Sequence, residues 1–103
     1  PLFGDRDLEV RRIQLLGAEK QIIRFYFADR CRQGLNCAIS FRKKAEFEEM
    51  VLAQGGDEMW QRLLRGQTVN LAVDIVYSIE INEFHNTKSV QLQIKDLRLH
   101  QNK

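Results

Sequence analysis

The chain has 103 residues, 44% of them hydrophobic and 29% charged, with a formal net charge of +2. That is enough apolar material for one domain around one core, and too little excess charge for the total alone to mark a nucleic-acid binder. No apolar run approaches the roughly 18 residues a membrane-spanning helix needs.

The amino terminus, Pro1-Leu-Phe-Gly-Asp-Arg-Asp7, lacks the basic-then-apolar pattern of a signal peptide and has no initiator Met. The expectation is a single domain over residues 1–103, taken from a larger polypeptide or a processed product. The two cysteines, Cys31 and Cys37, match no zinc spacing. Free thiols without a signal peptide point to the cytoplasm.

Residues 8–16 alternate at Leu8 and Val10, slip in phase, and continue at Ile13 and Leu15. Arg11-Arg12 sits at the slip, which predicts a β-bulge in a bent first strand. Gly17-Ala-Glu-Lys20 is the first turn. Residues 21–28 form the second strand. Ile23, Phe25 and Phe27 share its bulkier face and are expected inside, leaving Ile22, Arg24 and Tyr26 on the open side.

Residues 29–34 form a polar turn, and residues 35–41 the third strand. There Leu35, Cys37, Ile39 and Phe41 are expected to point in, with Asn36, Ala38, Ser40 and Arg42 out. Arg42-Lys43-Lys44 ends the strand with three positive charges. At residue 45 the period changes to helical, and residues 45–54 are rich in good helix formers. Gly55-Gly56 stops this helix. Asp57 caps a second one over residues 58–65, ending before Gly66. Phe47, Met50, Val51, Met59, Trp60 and Leu63 make the apolar stripe that covers one end of the sheet.

The strongest pattern is the last. Val69, Leu71, Val73, Ile75, Tyr77, Ile79 and Ile81 alternate without a break, and the alternation resumes at Val90, Leu92 and Ile94. Period two over this length predicts a hairpin with one face buried, turning within His85-Asn-Thr-Lys88. A first arm of about 15 residues far exceeds the usual strand and must coil to stay compact, as in a small barrel. Three strands, a helical connection and two more strands is the layout of an OB-fold, a five-stranded Greek-key barrel.

At the hairpin the sequence resembles the C-terminal OB domain of RecJ-type single-strand-specific DNA exonucleases. The likeness is carried by Val76-Tyr-Ser-Ile-Glu-Ile-Asn-Glu-Phe84 and Ser89-Val-Gln-Leu-Gln-Ile-Lys-Asp-Leu97, with Cys37-Ala-Ile-Ser-Phe41 similar to the family's third strand. Two departures stand out. His85-Asn-Thr-Lys88 occupies a place where the family usually carries Gly, and Arg42 stands where it tends to have a small residue.

The resemblance implies a parent enzyme that degrades single-stranded DNA from 5′ to 3′ with manganese or magnesium, in DNA repair and recombination. The Asp- and His-rich catalytic motifs of that enzyme, including Asp-His-His, are absent from this sequence. What the resemblance implies here is a binding module without a cofactor or catalytic activity of its own. Its partners would be single-stranded DNA, the parent's catalytic domains and other repair proteins, with no membrane.

A non-specific single-strand site needs cations along the phosphates and flat π-surfaces for unstacked bases. In OB folds these lie on the face of the second and third strands and in the loops after the first and fourth. That places Arg24, Tyr26, Asn36 and Arg42 on the face, and Arg30, Arg32, Lys43 and Lys44 at its rim. Lys20, His85 and Lys88 fall in the two loops. Tyr26 either stacks on a base or packs on the aliphatic part of Arg24. Phe84 is either a second stacking platform or a cross-strand partner of Val90. The acidic helix, with Glu46, Glu48 and Glu49, leaves a second reading open: a scaffold that docks protein and touches no DNA.

Overall fold

The computed structural model describes residues 1–28 and 37–101. They form β1 (Phe3–Leu16), β2 (Ile22–Phe27), β3 (Cys37–Ser40), α1 (Lys44–Arg65), β4 (Ala72–Phe84) and β5 (Thr87–Leu99). The strands close into a barrel in the order β1-β2-β3-β5-β4, with β3 and β5 parallel and the other pairs antiparallel. This is the expected five-stranded OB layout with its helix between the third and fourth strands. The first strand begins five residues before the alternation at Leu8 suggests.

Three irregularities bend the long strands. Val10 pairs with Phe27 and Arg12 with Tyr26, so Arg11 is the extra residue of a bulge, at the predicted slip. On the β4 side the register jumps between Asp5 and Leu8, where Asp7 takes a positive φ of 56°. In β5 the register shifts between Ile94 and Asp96, which carries the inward phase from Leu92 and Ile94 over to Leu97.

The core joins Leu8, Val10 and Ile13 of β1 to Ile23, Phe25 and Phe27 of β2 and to Leu71, Val73, Ile75, Leu92, Ile94 and Leu97. Phe25 and Phe27 stack at 5.9 Å, and Phe47 from α1 meets Phe25 edge-on at 4.8 Å. These rings decide the phase of β3. Phe25 pairs with Ala38 and Ile23 with Ser40, so the small residues Ala38 and Ser40 point in. The expected orientation of β3 is therefore inverted. Cys37 and Ile39 share the outer side with Tyr26 and Arg24, and Phe41 is exposed. A narrow barrel already holding three aromatic rings has room for Ala and Ser at these positions. Leu35 and Asn36 lie outside the described residues.

α1 is one helical run broken at Gly56, whose φ of 71° and ψ of −171° are not helical. The predicted stop at Gly55-Gly56 is thus present: two helical segments meet at a kink at Gly56 and are numbered together as α1. Gly66 closes the helix in the left-handed conformation, its amide bonded back to the last turn. At the other end the buried Ser40 Oγ accepts the Lys43 amide at 3.0 Å, tying the helix start to β3. Phe47, Val51, Trp60 and Leu63 are buried in the barrel end, as the apolar stripe predicts, with Met50 and Met59 half-buried beside them.

β4 and β5 form a hairpin with a two-residue turn. Phe84 pairs with Thr87, and His85 and Asn86 have φ of 51° and 64°. Both central residues at positive φ make the turn type I′, in which Asn is one of the few tolerant non-glycine residues. The register sets Val90 opposite Ile81 and Thr87 opposite Phe84, so Val90 is not the cross-strand partner of Phe84 that one of the two readings proposes. The Phe84 side chain lies outside the described residues. The hairpin also outruns the barrel. Ile79, Ile81 and Val90 are 39%, 68% and 47% exposed, although the alternation predicts them buried.

The barrel's far end is tied by Asp74, a buried carboxylate in β4. Its Oδ1 accepts the Asp7 amide at 2.9 Å, the group that the irregularity in β1 frees from the ladder. Arg98 Nε donates to Oδ2 at 2.9 Å, and His100 Nδ1 lies 2.8 Å from Oδ1. Burial pushes the Asp74 pKa up, but the Asp7 amide, His100 and Arg98 outweigh it and lower the carboxyl from 3.8 to about 2.

Two predictions follow from these junctions. Asn86→Val places a β-branched side chain at positive φ and should cost about 1–2 kcal/mol in urea unfolding, whereas Asn86→Gly should cost nothing. Equal stabilities of the two variants would contradict the turn assignment. Asp74 binds its proton more weakly folded than unfolded, so its contribution of about 2 kcal/mol is complete above pH ~4 and vanishes as pH falls toward 2. Unfolding midpoints measured over that window should drop for the wild type and change less for Asp74→Asn.

Candidate functional site

The barrel's outer side carries side chains in registered rows. Gln14 of β1, Arg24 of β2, Ile39 of β3, Gln93 of β5 and Ser78 of β4 stand abreast, one from each strand. In the next row Arg12 pairs with Tyr26, and Tyr26 with Cys37. The bulge at Arg11 makes these rows. It turns Ile13 inward and leaves Arg12 and Gln14 on the same outer side as Tyr26 and Arg24.

β3 and β5 are registered at a single pair, Ile39 and Gln93. N-terminal to that pair lies a groove of about 280 Å³, walled by Arg24, Tyr26, Cys37 and Ile39 on one side and by Asn82 and residues 89–92 of the hairpin on the other. Ile39 is buried there yet stands apart from the core cluster. The floor is therefore apolar, and the walls carry one guanidinium, one phenol ring and neutral hydrogen-bonding groups from Asn82, Ser89 and Gln91.

The aromatic wall is held in place. Tyr26 Oη donates to Gln14 Oε1 at 3.1 Å, and Arg24 Nη1 donates to the same oxygen at 3.3 Å. The Arg12 guanidinium carbon stands 5.8 Å from the centre of the Tyr26 ring, a cation–π contact. Tyr26 is thus held by Gln14, the acceptor it shares with Arg24, and by the Arg12 guanidinium near its ring.

The sequence-derived candidates divide into groups. Arg24 and Tyr26 meet in the groove. Arg42 is exposed just beyond β3 and makes no ion pair among the described residues. Lys43 Nζ lies 3.5 Å from Glu46 Oε1 and 3.6 Å from Asp96 Oδ1, and Lys44 Nζ lies 2.8 Å from Glu48 Oε1. These two lysines are engaged by carboxylates of α1 and β5. His85 and Lys88 are exposed at and beside the hairpin turn and do not line the groove, and Lys20 is exposed in the first turn. Arg30, Arg32 and Asn36 lie outside the described residues.

Sequence reading missed Arg12 and Gln14, although the slip at Arg11-Arg12 implies that they turn outward. It also missed Ile39 and Cys37, because the apolar phase of β3 reads the opposite way. Asn82, Ser89 and Gln91 carry no one-dimensional signal, since the splaying of two parallel strands brings them to the groove.

Larger hollows of about 430 and 510 Å³ flank Asp74 and Arg98, at the opposite end of the β4–β5 ladder. There Arg98 and His100 are engaged by Asp74. Among the described residues no three His, Cys, Asp or Glu side chains gather to hold a metal ion. No helix among them is long and apolar enough to cross a membrane.

Comparison with known proteins bears on the family and the fold. A family model described as the RecJ OB domain matches residues 1–96. No curated protein sequence matches significantly. Among solved structures, the chain is similar in fold to the mitochondrial single-stranded DNA binding protein Rim1 from S. cerevisiae, with a TM-score of 0.50 at 11% identity over 100% of this chain and 97% of that one. The match across nearly the whole barrel decides the family: this chain belongs to the RecJ OB domain family.

Proposed function

We propose that this domain binds single-stranded DNA without sequence preference, as the binding module of a RecJ-like 5′-to-3′ exonuclease acting in cytoplasmic DNA repair and recombination. The observation that carries the reading is the groove between β2–β3 and the hairpin, where an aromatic ring and a guanidinium share one wall above an apolar floor. Membership of the RecJ OB family supports it, as does the fold shared with a single-stranded DNA binding protein.

In this reading Tyr26 takes a base by stacking, and Arg12, Arg24 and Arg42 take successive phosphates. Asn82, Ser89 and Gln91 offer neutral donors and acceptors to base edges or sugars. Arg30, Arg32, Asn36, His85 and Lys88 are secondary candidates along the strand's path, and Lys43 and Lys44 would have to leave their carboxylates to contribute. Hydrolysis belongs to the parent's metal-dependent catalytic domains.

One observation favours a second role. Ile79, Ile81 and Val90 give the projecting hairpin an exposed apolar side, which suits contact with the parent's catalytic domains or another protein. Fluorescence anisotropy of labelled oligo-dT with the isolated domain separates the two. Three phosphate contacts predict log K falling with log salt at a slope of about −2. Tyr26→Ala should lose about 1–3 kcal/mol of binding with the barrel intact. Absence of binding even at low salt would favour the scaffold role.

A further inference from the structure

We infer that Gln14 is the positioning residue of the groove: it sets the Tyr26 ring and the Arg24 guanidinium in the arrangement that receives the polynucleotide. The inference rests on the single-strand-binding reading above and adds to it a residue from outside the walls of the groove.

The geometry is specific. Gln14 stands opposite Arg24 in the β1–β2 register and one row from Tyr26. Its Oε1 accepts from Arg24 Nη1 at 3.3 Å and from Tyr26 Oη at 3.1 Å. Two donors converging on one atom fix which end of the amide faces them, because the amide nitrogen cannot accept. Both links are part-buried, where a hydrogen bond is better shielded from competing water.

The consequence is a coupled pair. A tyrosine ring free about its two side-chain torsions loses entropy when it stacks on a base, and a long arginine side chain loses more when it meets a phosphate. With both already tethered to Gln14, part of that cost is met in the free protein. The amide nitrogen keeps two N–H donors with no partner among the described residues, beside the ring, where a base or phosphate oxygen can accept them.

The test compares Gln14→Met, which keeps length but loses both acceptor and donors, with Tyr26→Phe, which keeps the stacking ring but loses the hydroxyl. Titration of labelled oligo-dT should show each variant binding about three- to tenfold more weakly, with unfolding midpoints close to wild type. The double variant should bind no worse than Gln14→Met alone, since the hydroxyl acts through the amide. The salt slope of Gln14→Met should shrink by up to about 0.7, one phosphate contact, as Arg24 is released.

A purely structural role would lower the unfolding midpoint and leave the slope unchanged. Should Gln14→Met fail to fold, Tyr26→Phe decides the matter: wild-type affinity in that variant overturns the positioning role. If the wild type binds and Gln14→Met binds equally well with the same slope, the inference fails while the groove reading stands. If the wild type does not bind, the groove reading itself is overturned and this role with it.

Discussion

One extra residue in β1 governs both sides of the barrel wall. Leu8 and Val10 point into the core from even positions, and Ile13 points in from an odd one. Only a bulge can change that phase within a continuous strand, and Arg11 supplies it. Without it, burial of Val10 would drive Arg12 and Gln14 inward and expel Ile13. Burying a guanidinium and an amide without partners costs several kcal/mol, so the uninterrupted register is not an accessible alternative. The residue that allows the long strand to turn around the core is thereby the one that delivers Arg12 and Gln14 to the outer side.

The same logic explains which features were legible in the sequence. The hairpin, the bulge, the helix face and the glycine break each appear as a period or an interruption of a period, and each has its counterpart in the barrel. β5 carries the same signature as β1: Leu92 and Ile94 are followed by Leu97, an odd step of three, and the register shifts there. β3 failed because alternation gives a strand two faces without saying which is inside. Bulk would put Leu35, Ile39 and Phe41 in the core, but volume within a closed barrel is shared, and the rings of Phe25, Phe27 and Phe47 already occupy it. The register then assigns Ala38 and Ser40 to the interior. Ile39, displaced outward, becomes the apolar floor of the groove.

Closure of the barrel also creates the opening. Two parallel strands joined at a single registered pair cannot remain paired once a long hairpin coils away from a four-residue strand. The hairpin is long because its alternation continues to Ile81 and Val90, beyond the reach of the core. No property of those residues taken singly reveals that they project. It depends on how far β1 and β3 extend alongside them, which is a matter of relative strand lengths in three dimensions.

The distribution of charge bears on how such a groove would hold a polynucleotide. Lys43, Lys44 and Arg62 all face carboxylates within 3.6 Å, which removes much of the basic character that the run Arg42-Lys43-Lys44 suggests. Exposed pairs of this kind contribute little stability, yet each carboxylate would have to be displaced before its partner could serve a phosphate. Arg24, which lines the groove, and Arg12, beside the Tyr26 ring, are instead arranged around a neutral amide and a phenol ring. On the proposed reading, affinity would come from stacking and neutral hydrogen bonds as much as from counterion release. A site built in that way tolerates any base, because every base has a π-face, and it loses less affinity as salt rises than a lysine-lined channel of the same length.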